Sequence, residues 1–149
     1  MPFLQFPRSQ ERLALVTYVK LMRAANAARN FASRSLNDSG ITLTQFAVLE
    51  ALYHLGPMSI SDIAQKVLTT GGNLTMVAGN LQKQGLVKRQ KSPEDGRVQI
   101  VVLTPKGKSL IRRIFPCHAA RLVEFMGVLT PEEQRELGEL CRKLGKRAS

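Results

Sequence analysis

The sequence predicts a mainly α-helical protein with one small β-hairpin. Three observations support this fold class: long stretches whose apolar residues recur at helical spacing, polar caps and glycines that divide those stretches into six helices, and two β-branched runs joined by a turn. A chain of 149 residues is about the length of one domain and is long enough to bury a core.

The N-terminal part predicts one long helix followed by a shorter one. Residues 9–36 are rich in Leu, Val, Met and Ala with basic residues interspersed, and residues 37–40 end that stretch. Thr42 with Gln45 three residues later forms a capping box for the second helix, which residues 56–57, Gly-Pro, stop. The apolar residues of this second helix share one face: Phe46, Leu49 and Leu52.

Two short helices joined by a tight turn are predicted next. Ser59 and Asp62 have N-cap spacing, and apolar residues recur at helical spacing from Ile60 to Val67. A second periodic set covers residues 70–84, and Gly85 follows at the position expected of a C-cap. The residues of this set that we expect to be buried are Leu74, Val77, Ala78 and Leu81.

A hairpin and two helices complete the predicted chain. Residues 86–90 and 98–103 are β-branched runs separated by a Ser-Pro-Glu-Asp-Gly turn. Thr104 and Pro105 supply an N-cap and a first helical residue, and residues 130–133 begin the last helix. The apolar stripe of that last helix is formed by Leu137, Leu140, Cys141 and Leu144.

The charge distribution favours a polyanionic partner. The formal net charge is +11, and residues 81–113 hold nine basic side chains against two acidic ones, a net +7. Such a stretch suits nucleic acid or an anionic membrane surface. We favour nucleic acid and expect no membrane association, because the basic residues surround a hairpin and do not follow one helix face, and no run approaches about 18 apolar residues.

The cysteines and histidines do not predict a site of their own. Cys117 and Cys141 are interpreted as free thiols on helices, and a chain with few cysteines and no secretion signal is expected in the reducing cytoplasm. His54 and His118 are interpreted as core or hydrogen-bonding residues and not as metal ligands. Since no catalytic set or nucleotide-binding motif is present, we expect neither enzyme activity nor a cofactor.

The outward face of the helix predicted at 70–84 suits the major groove of DNA. Small residues allow close approach, and the amide and hydroxyl groups of Thr70, Asn73 and Thr75 can reach base edges or phosphates. An ordinary exposed helix is the alternative, which the basic hairpin next to it in the chain disfavours. The outward-facing residues are Gly72, Met76, Gly79, Asn80 and Lys83, with Asn73 and Thr75 at the flanks.

The hairpin also carries a family resemblance. Residues 95–104, Asp-Gly-Arg-Val-Gln-Ile-Val-Val-Leu-Thr, match the MarR-family wing signature D-x-R-x-x-x-V-x-L-T at every fixed position, and residues 43–49 and 71–75 are also similar. The chain thus resembles the MarR family of bacterial winged helix-turn-helix regulators over about residues 10–145. Gly96 departs from the pattern, because many relatives carry a second Arg there, and we expect one phosphate contact fewer.

The resemblance implies a single domain, 1–149, that acts as a homodimer. A DNA-binding lobe at about residues 42–104 would contact one half-site of a pseudo-palindromic operator on double-stranded DNA, and helices at about 9–37 and 105–145 would pair the subunits. It also implies a repressor relieved by a small aromatic or phenolic effector. Conceivable linings of the effector pocket are Tyr18, Met22, Phe31, Tyr53 and His54.

Arg97 is the sharpest predicted DNA contact. Asp95 can hold the guanidinium of Arg97 extended, in a pose that suits the narrow minor groove, and the resemblance assigns Arg97 the same task. The alternative interpretation of Asp95 and Arg97 is an ordinary surface ion pair. The alternative function for the whole chain is that of an architectural protein that binds DNA without sequence preference. The predicted DNA contacts are Ser59, Thr70, Gly72, Asn73, Thr75, Met76, Lys83, Arg89, Lys91, Asp95 and Arg97.

Overall fold

The computed structural model describes residues 9–67 and 74–148. Its elements in chain order are α1 (Ser9–Arg34), α2 (Leu43–Leu55), β1 (Met58–Ser59), α3 (Ile60–Lys66), α4 (Leu74–Lys83), β2 (Val87–Lys91), β3 (Gln99–Leu103), α5 (Pro105–Met126), α6 (Pro131–Gly145) and a short 3-10 helix (Lys146–Ala148). The predicted fold class, mainly helical with a small antiparallel hairpin, is confirmed. Among the described helices, none combines the length and apolar character that crossing a bilayer requires.

The chain divides into two compact units. One contains α1 and the chain from residue 122 onward, and the other spans residues 35–121. In the first unit, Phe31 packs against Phe125 with ring centroids 5.2 Å apart. The second unit contains the hydrophobic core, whose most deeply buried side chains are Phe46, Val48, Leu49, Ile63, Leu81, Val87, Val101 and Ile111.

The capping box that the sequence predicts begins α2, and a second capping box begins α6 at the predicted start of that helix. Thr42 Oγ1 accepts a hydrogen bond from the Gln45 backbone N–H at 3.1 Å, and Gln45 Oε1 accepts one from the Thr42 N–H at 3.0 Å. Thr130 and Glu133 repeat the same pair of bonds at the start of α6. Each bond satisfies a backbone donor that the first turn of a helix leaves without an intrahelical partner.

The antiparallel sheet has the strand order β1, β3, β2. Strands β2 and β3 form the predicted hairpin, here called the wing, with Val87 opposite Leu103 at its base and Lys91 opposite Gln99 beside its turn. Strand β1 pairs Met58 with Val101 and was not predicted, because a two-residue strand has no readable period. It attaches the start of α3 to the sheet.

Helix α4 ends in a Schellman motif. The Gly85 N–H donates to the Gln82 carbonyl at 2.9 Å, and the Leu86 N–H donates to the Leu81 carbonyl at 3.0 Å. Gly85 has φ +73°, a conformation in which a Cβ would be strained. The predicted C-cap role of Gly85 is therefore confirmed, and α4 passes directly into the base of the wing.

The base of the wing is tied to the start of α5 through Thr104. Thr104 Oγ1 donates to the Gly85 carbonyl at 2.7 Å and accepts from the Gly107 N–H at 3.1 Å. A Cβ added at Gly107 would overlap the Leu86 carbonyl oxygen and would lie 2.7 Å from Leu103 Cδ1. Close approach of α5 to the wing therefore requires glycine at this position.

Helices α1 and α6 expose large apolar side chains. Leu13 of α1 is 68% exposed and Leu140 of α6 is 57% exposed. The other exposed apolar residues of these two helices include Leu15, Val16, Tyr18, Val19, Met22, Leu137 and Leu144. The predicted stripe of α6 thus faces solvent within a single chain.

Candidate nucleic-acid interface

The candidate interface is built on α3, α4 and the wing. Ser59 caps α3, because its Oγ accepts from the Asp62 N–H at 3.1 Å, and Ser59 itself is buried. The described part of α4 begins at Leu74, so three predicted contacts, Thr70, Gly72 and Asn73, lie outside the described residues. The described part of the helix-turn-helix therefore consists of α3 and of α4 from Leu74 onward.

Helix α4 has one buried face and one exposed face, as predicted. Leu74, Ala78 and Leu81 are buried, and Val77 is half-buried. The opposite face is exposed and includes Thr75, Met76, Asn80 and Lys83. Met76 is a large apolar side chain with 62% of its surface exposed, so this face offers an apolar group beside hydroxyl, amide and ammonium groups.

A groove between α3, α4 and the wing brings three of the predicted contacts together. Ser59, Thr75 and Arg89 line the same groove, which has a volume of about 600 Å³. Its other lining residues are Ile60, Ser61, Asp62, Val98 and Gln99. The helix-turn-helix and the wing therefore present one continuous surface.

Arg89 connects the wing to α4. Its Nε donates to Gln82 Oε1 at 2.7 Å, and its Nη2 would lie 4.0 Å from a Cβ added at Gly79. The guanidinium thus lies along the exposed side of α4, close to Gly79. Gln82 was not predicted from the sequence as part of the site, because its partner is seven residues away on another element.

Asp95 and Arg97 interact at the turn of the wing, as the sequence predicts. Asp95 Oδ1 accepts from the Arg97 backbone N–H at 3.0 Å and from Arg97 Nε at 3.2 Å. The turn is closed by the Ser92 N–H, which donates to the Val98 carbonyl at 2.8 Å. The Arg97 side chain is 93% exposed, so the ion pair orients it without burying it. Lys91 is exposed beside the same turn.

The ion pair also affects the acidity of Asp95. The backbone N–H of Arg97 and, secondarily, its guanidinium hold the pKa of the Asp95 carboxyl below its usual value. Both donors favour the ionised carboxylate. Asp95 is therefore charged, and able to orient Arg97, throughout the neutral pH range.

The residues predicted to line an effector pocket are distributed over both units. Tyr18, Met22 and Phe31 belong to the unit that contains α1, and Tyr53 and His54 belong to the unit 35–121. Tyr53 and His54 lie edge to face with ring centroids 5.2 Å apart. The joint pocket stays a prediction.

His118 is a core histidine, which confirms that interpretation. Its Nδ1 lies 2.7 Å from Ser35 Oγ, and its ring packs on Phe46 with a centroid distance of 4.4 Å. Burial lowers the pKa of His118, and the Glu50 carboxylate offsets part of that effect. For His54 the interpretation as a core residue is wrong, because His54 is exposed; its ring packs edge to face with that of Phe115.

The two cysteines lie on different helices. Cys117 and Cys141 are exposed free thiols, on α5 and α6 respectively. Within residues 9–67 and 74–148, no group of three or more His, Cys, Asp or Glu side chains is arranged to hold a metal ion.

A helix-turn-helix followed by a basic wing with an arginine at its turn defines the class of winged helix-turn-helix DNA-binding proteins. The model of the MarR family matches residues 41–98. The transcriptional regulator MhqR of Bacillus subtilis is 35% identical over 135 residues, which cover 91% of this chain and 93% of the relative. The chain therefore belongs to the MarR family of DNA-binding transcriptional regulators and is not an enzyme.

Solved structures of related regulators support the same assignment. Sco3205 of Streptomyces coelicolor, a MarR-family regulator in complex with DNA, is 26% identical with a TM-score of 0.81, covering 95% of this chain and 89% of its own. BpsR of Bordetella bronchiseptica is 28% identical with a TM-score of 0.77, covering 84% and 89%. DNA binding by BpsR is regulated by 6-hydroxynicotinic acid.

Proposed function

We propose that this protein is a homodimeric, cytoplasmic repressor that binds a pseudo-palindromic operator and is released by a small aromatic or phenolic effector. In each subunit, α4 enters the major groove and the wing enters the adjacent minor groove. The observation that carries the proposal is the Asp95–Arg97 pair, in which a carboxylate orients an arginine that is 93% exposed at the turn of the wing.

Major-groove binding is supported by the exposed face of α4. Thr75 and Asn80 offer a hydroxyl and an amide, the groups that pair with base edges, and Lys83 offers a cation for phosphate. Met76 provides apolar contact of the kind that fits a thymine methyl group. Asn73, together with Thr70 and Gly72, remains a predicted contact on the same helix-turn-helix.

Minor-groove binding is supported by the way in which Arg97 is oriented. An arginine that enters the narrow groove of A·T-rich DNA must be extended. An unrestrained arginine side chain loses rotamer entropy when it adopts one extended conformation. The bond from Arg97 Nε to Asp95 Oδ1 restrains the side chain before DNA arrives and reduces that loss, while the bond from the Arg97 backbone N–H holds the carboxylate in place. An ion pair as exposed as this one would contribute little to folding stability, so stability alone does not explain it.

Dimerisation is supported by the apolar faces of α1 and α6. Exposed leucines such as Leu13 and Leu140 stand in rows along these helices, and large contiguous apolar surfaces mark contact sites. A second copy of the chain would cover such rows by two-fold pairing, as the family resemblance implies. The resulting two lobes would match an operator of two half-sites.

An effector is supported by BpsR, a 28% identical relative whose DNA binding responds to 6-hydroxynicotinic acid. Tyr53 offers a phenol whose oxygen accepts from Arg112 Nε at 3.3 Å, and His54 lies against its ring. A ring with a nearby guanidinium suits an aromatic anion. Tyr18, Met22 and Phe31 are the remaining proposed linings.

The experiment that tests this function begins with selection of DNA from a random library and footprinting on the selected sequence. We expect two protected half-sites about 34 Å apart and an affinity at least about 10³-fold above that for random DNA at the same salt concentration. Placed at a promoter, the operator should lower transcription. Equal affinity for selected and random DNA would instead identify a sequence-tolerant architectural protein.

A further inference from the structure

A cavity separate from the groove of the candidate interface lies at the base of the wing, within the unit 35–121. Its volume is about 500 Å³, and it is lined by residues before α2, at the end of α4 and on α5. Volumes of this size are typical of small-molecule sites. We call it the basal cavity, and its lining includes Ile41, Gln84, Leu86, Lys106, Leu110 and Arg113.

The charge of the basal cavity is positive. Lys106 and Arg113 line it, and none of its lining residues is acidic. Neither cation forms an ion pair with any residue that the structure describes. Lys106 Nζ donates to the Gln84 carbonyl at 2.7 Å, which occupies one of its three donors. Both cations therefore remain available to an anion.

The two cations are separated by an apolar wall. Lys106 and Arg113 are seven residues apart on α5, which places them on one face with about 10 Å between their backbones. Leu110 lies between them and is half-buried, and the buried side chains of Ile41 and Leu86 continue the wall. All three are aliphatic, so the cavity offers apolar packing without ring stacking.

We propose that the basal cavity binds a small aliphatic dicarboxylate, with one carboxylate at Lys106, the other at Arg113 and the methylene chain against Leu110. This inference goes beyond the proposed function, since the cavity shares no residue with the predicted effector pocket. Nor does the cavity face the DNA partner through the wing turn. The five residues of β2 place the base of the wing, where the cavity lies, about 13 Å from the turn of the wing.

The test measures binding of suberate, an eight-carbon dicarboxylate, to the full chain without DNA at constant ionic strength. Calorimetry and amide NMR shifts at Gly107 and Ser109 should show saturable binding at millimolar concentration or below. The uncharged diamide of suberate should not bind, and octanoate, with one carboxylate, should bind roughly tenfold more weakly.

Variants of Lys106 and Arg113 test whether each of these cations binds one carboxylate of suberate. Arg113→Gln and Lys106→Gln should each weaken suberate binding by about tenfold, and Arg113→Lys should restore most of it. Arg112→Gln removes the cation that donates to Tyr53 and tests the neighbouring effector site separately. Lys108→Gln is the matched control, because it removes the same charge from the same helix and Lys108 is exposed without lining the cavity. Its suberate affinity should stay within about twofold of the unmodified protein.

Several outcomes would overturn the proposal. Equal binding of suberate and its diamide, or no saturable binding, would show that the cavity is not an anion site. A larger loss in Arg112→Gln than in Arg113→Gln would assign the ligand to the neighbourhood of Tyr53. Weaker DNA binding by Arg113→Gln in the absence of suberate would identify a phosphate contact. None of these results would affect the operator selection that tests the proposed function.

Discussion

At the scale of single residues, Asp95 has an effect on DNA binding that its charge alone does not indicate. A carboxylate near DNA repels phosphate, yet Asp95 also orients the Arg97 side chain, because its Oδ1 accepts a hydrogen bond from Arg97 Nε. The two effects have opposite signs. Removing the carboxylate therefore distinguishes a positioned arginine from a loop that is merely basic.

We expect Arg97→Ala to cost about 1 to 3 kcal/mol of operator affinity and to lower the slope of the salt dependence by about one unit. Asp95→Ala should also weaken binding, because Arg97 loses its orientation. Glu94→Ala is the control, since it removes the same charge at the neighbouring position and should leave affinity unchanged or raise it. Titrations on one operator at one ionic strength measure all three, and tighter binding by Asp95→Ala would contradict a positioned Arg97.

His118 provides a prediction about folding stability and pH. Because burial lowers its pKa in the folded state, the unfolded chain takes up a proton first as pH falls. Stability should be highest above the usual histidine pKa, fall as pH drops through that value, and level off below the lowered pKa. Urea unfolding at about pH 7.5 and about pH 5.5, at one protein concentration, measures the difference.

The variant His118→Gln should show a smaller loss of stability between these two pH values than the unmodified protein. His54→Gln removes the exposed histidine and should keep the full loss. A pH dependence that is unchanged in His118→Gln would assign the effect to other groups.

At the scale of elements, the close approach of α5 to the base of the wing depends on Gly107. An alanine there would overlap the Leu86 carbonyl and crowd Leu103. We expect Gly107→Ala to lower the free energy of unfolding by about 1 to 3 kcal/mol, as overpacking of a closely packed site does. Gly138→Ala on α6 is the control, because a Cβ there meets no atom within 4 Å and alanine favours helix. Equal effects of the two changes would contradict the close approach.

The elements that could be predicted from the sequence are those specified by neighbouring residues. The boxes at Thr42 and Thr130 and the glycine turn at Gly85 lie within a few residues of the bonds they form, so their spacing is visible in the sequence. Strand β1 and the Arg89–Gln82 bond depend on contacts between distant elements, which no local pattern indicates.

At the candidate site, the predictable part was the identity of the exposed residues and the Asp95–Arg97 pair. The exposed face of α4 follows from helical periodicity, and Asp95 and Arg97 are two residues apart in a turn. The groove that joins Ser59, Thr75 and Arg89 could not be predicted, because three separate elements form it. The basal cavity could not be predicted for the same reason.

At the scale of the whole molecule, the proposed dimer depends on the apolar faces of α1 and α6. We expect Leu140→Glu to weaken dimerisation by about 2 kcal/mol or more, because two-fold symmetry introduces the change twice. Leu55→Glu is a matched control, since Leu55 is 59% exposed, close to the 57% of Leu140, but lies at the end of α2. Sedimentation measures both, and a well-folded unmodified monomer at micromolar concentration would contradict the dimer.

The bond between Arg89 of the wing and Gln82 of α4 has a consequence for how regulators of this kind diverge. Two elements that we propose to read different grooves are joined by this contact as well as through the Gly85 turn, so we expect a substitution that repositions α4 to reposition the wing. Preferences for major-groove and minor-groove positions of an operator are then not inherited independently. Descendants of this chain that acquire a new target sequence should therefore change residues of α4 and of the wing together. Their operators should co-vary at positions several base pairs apart.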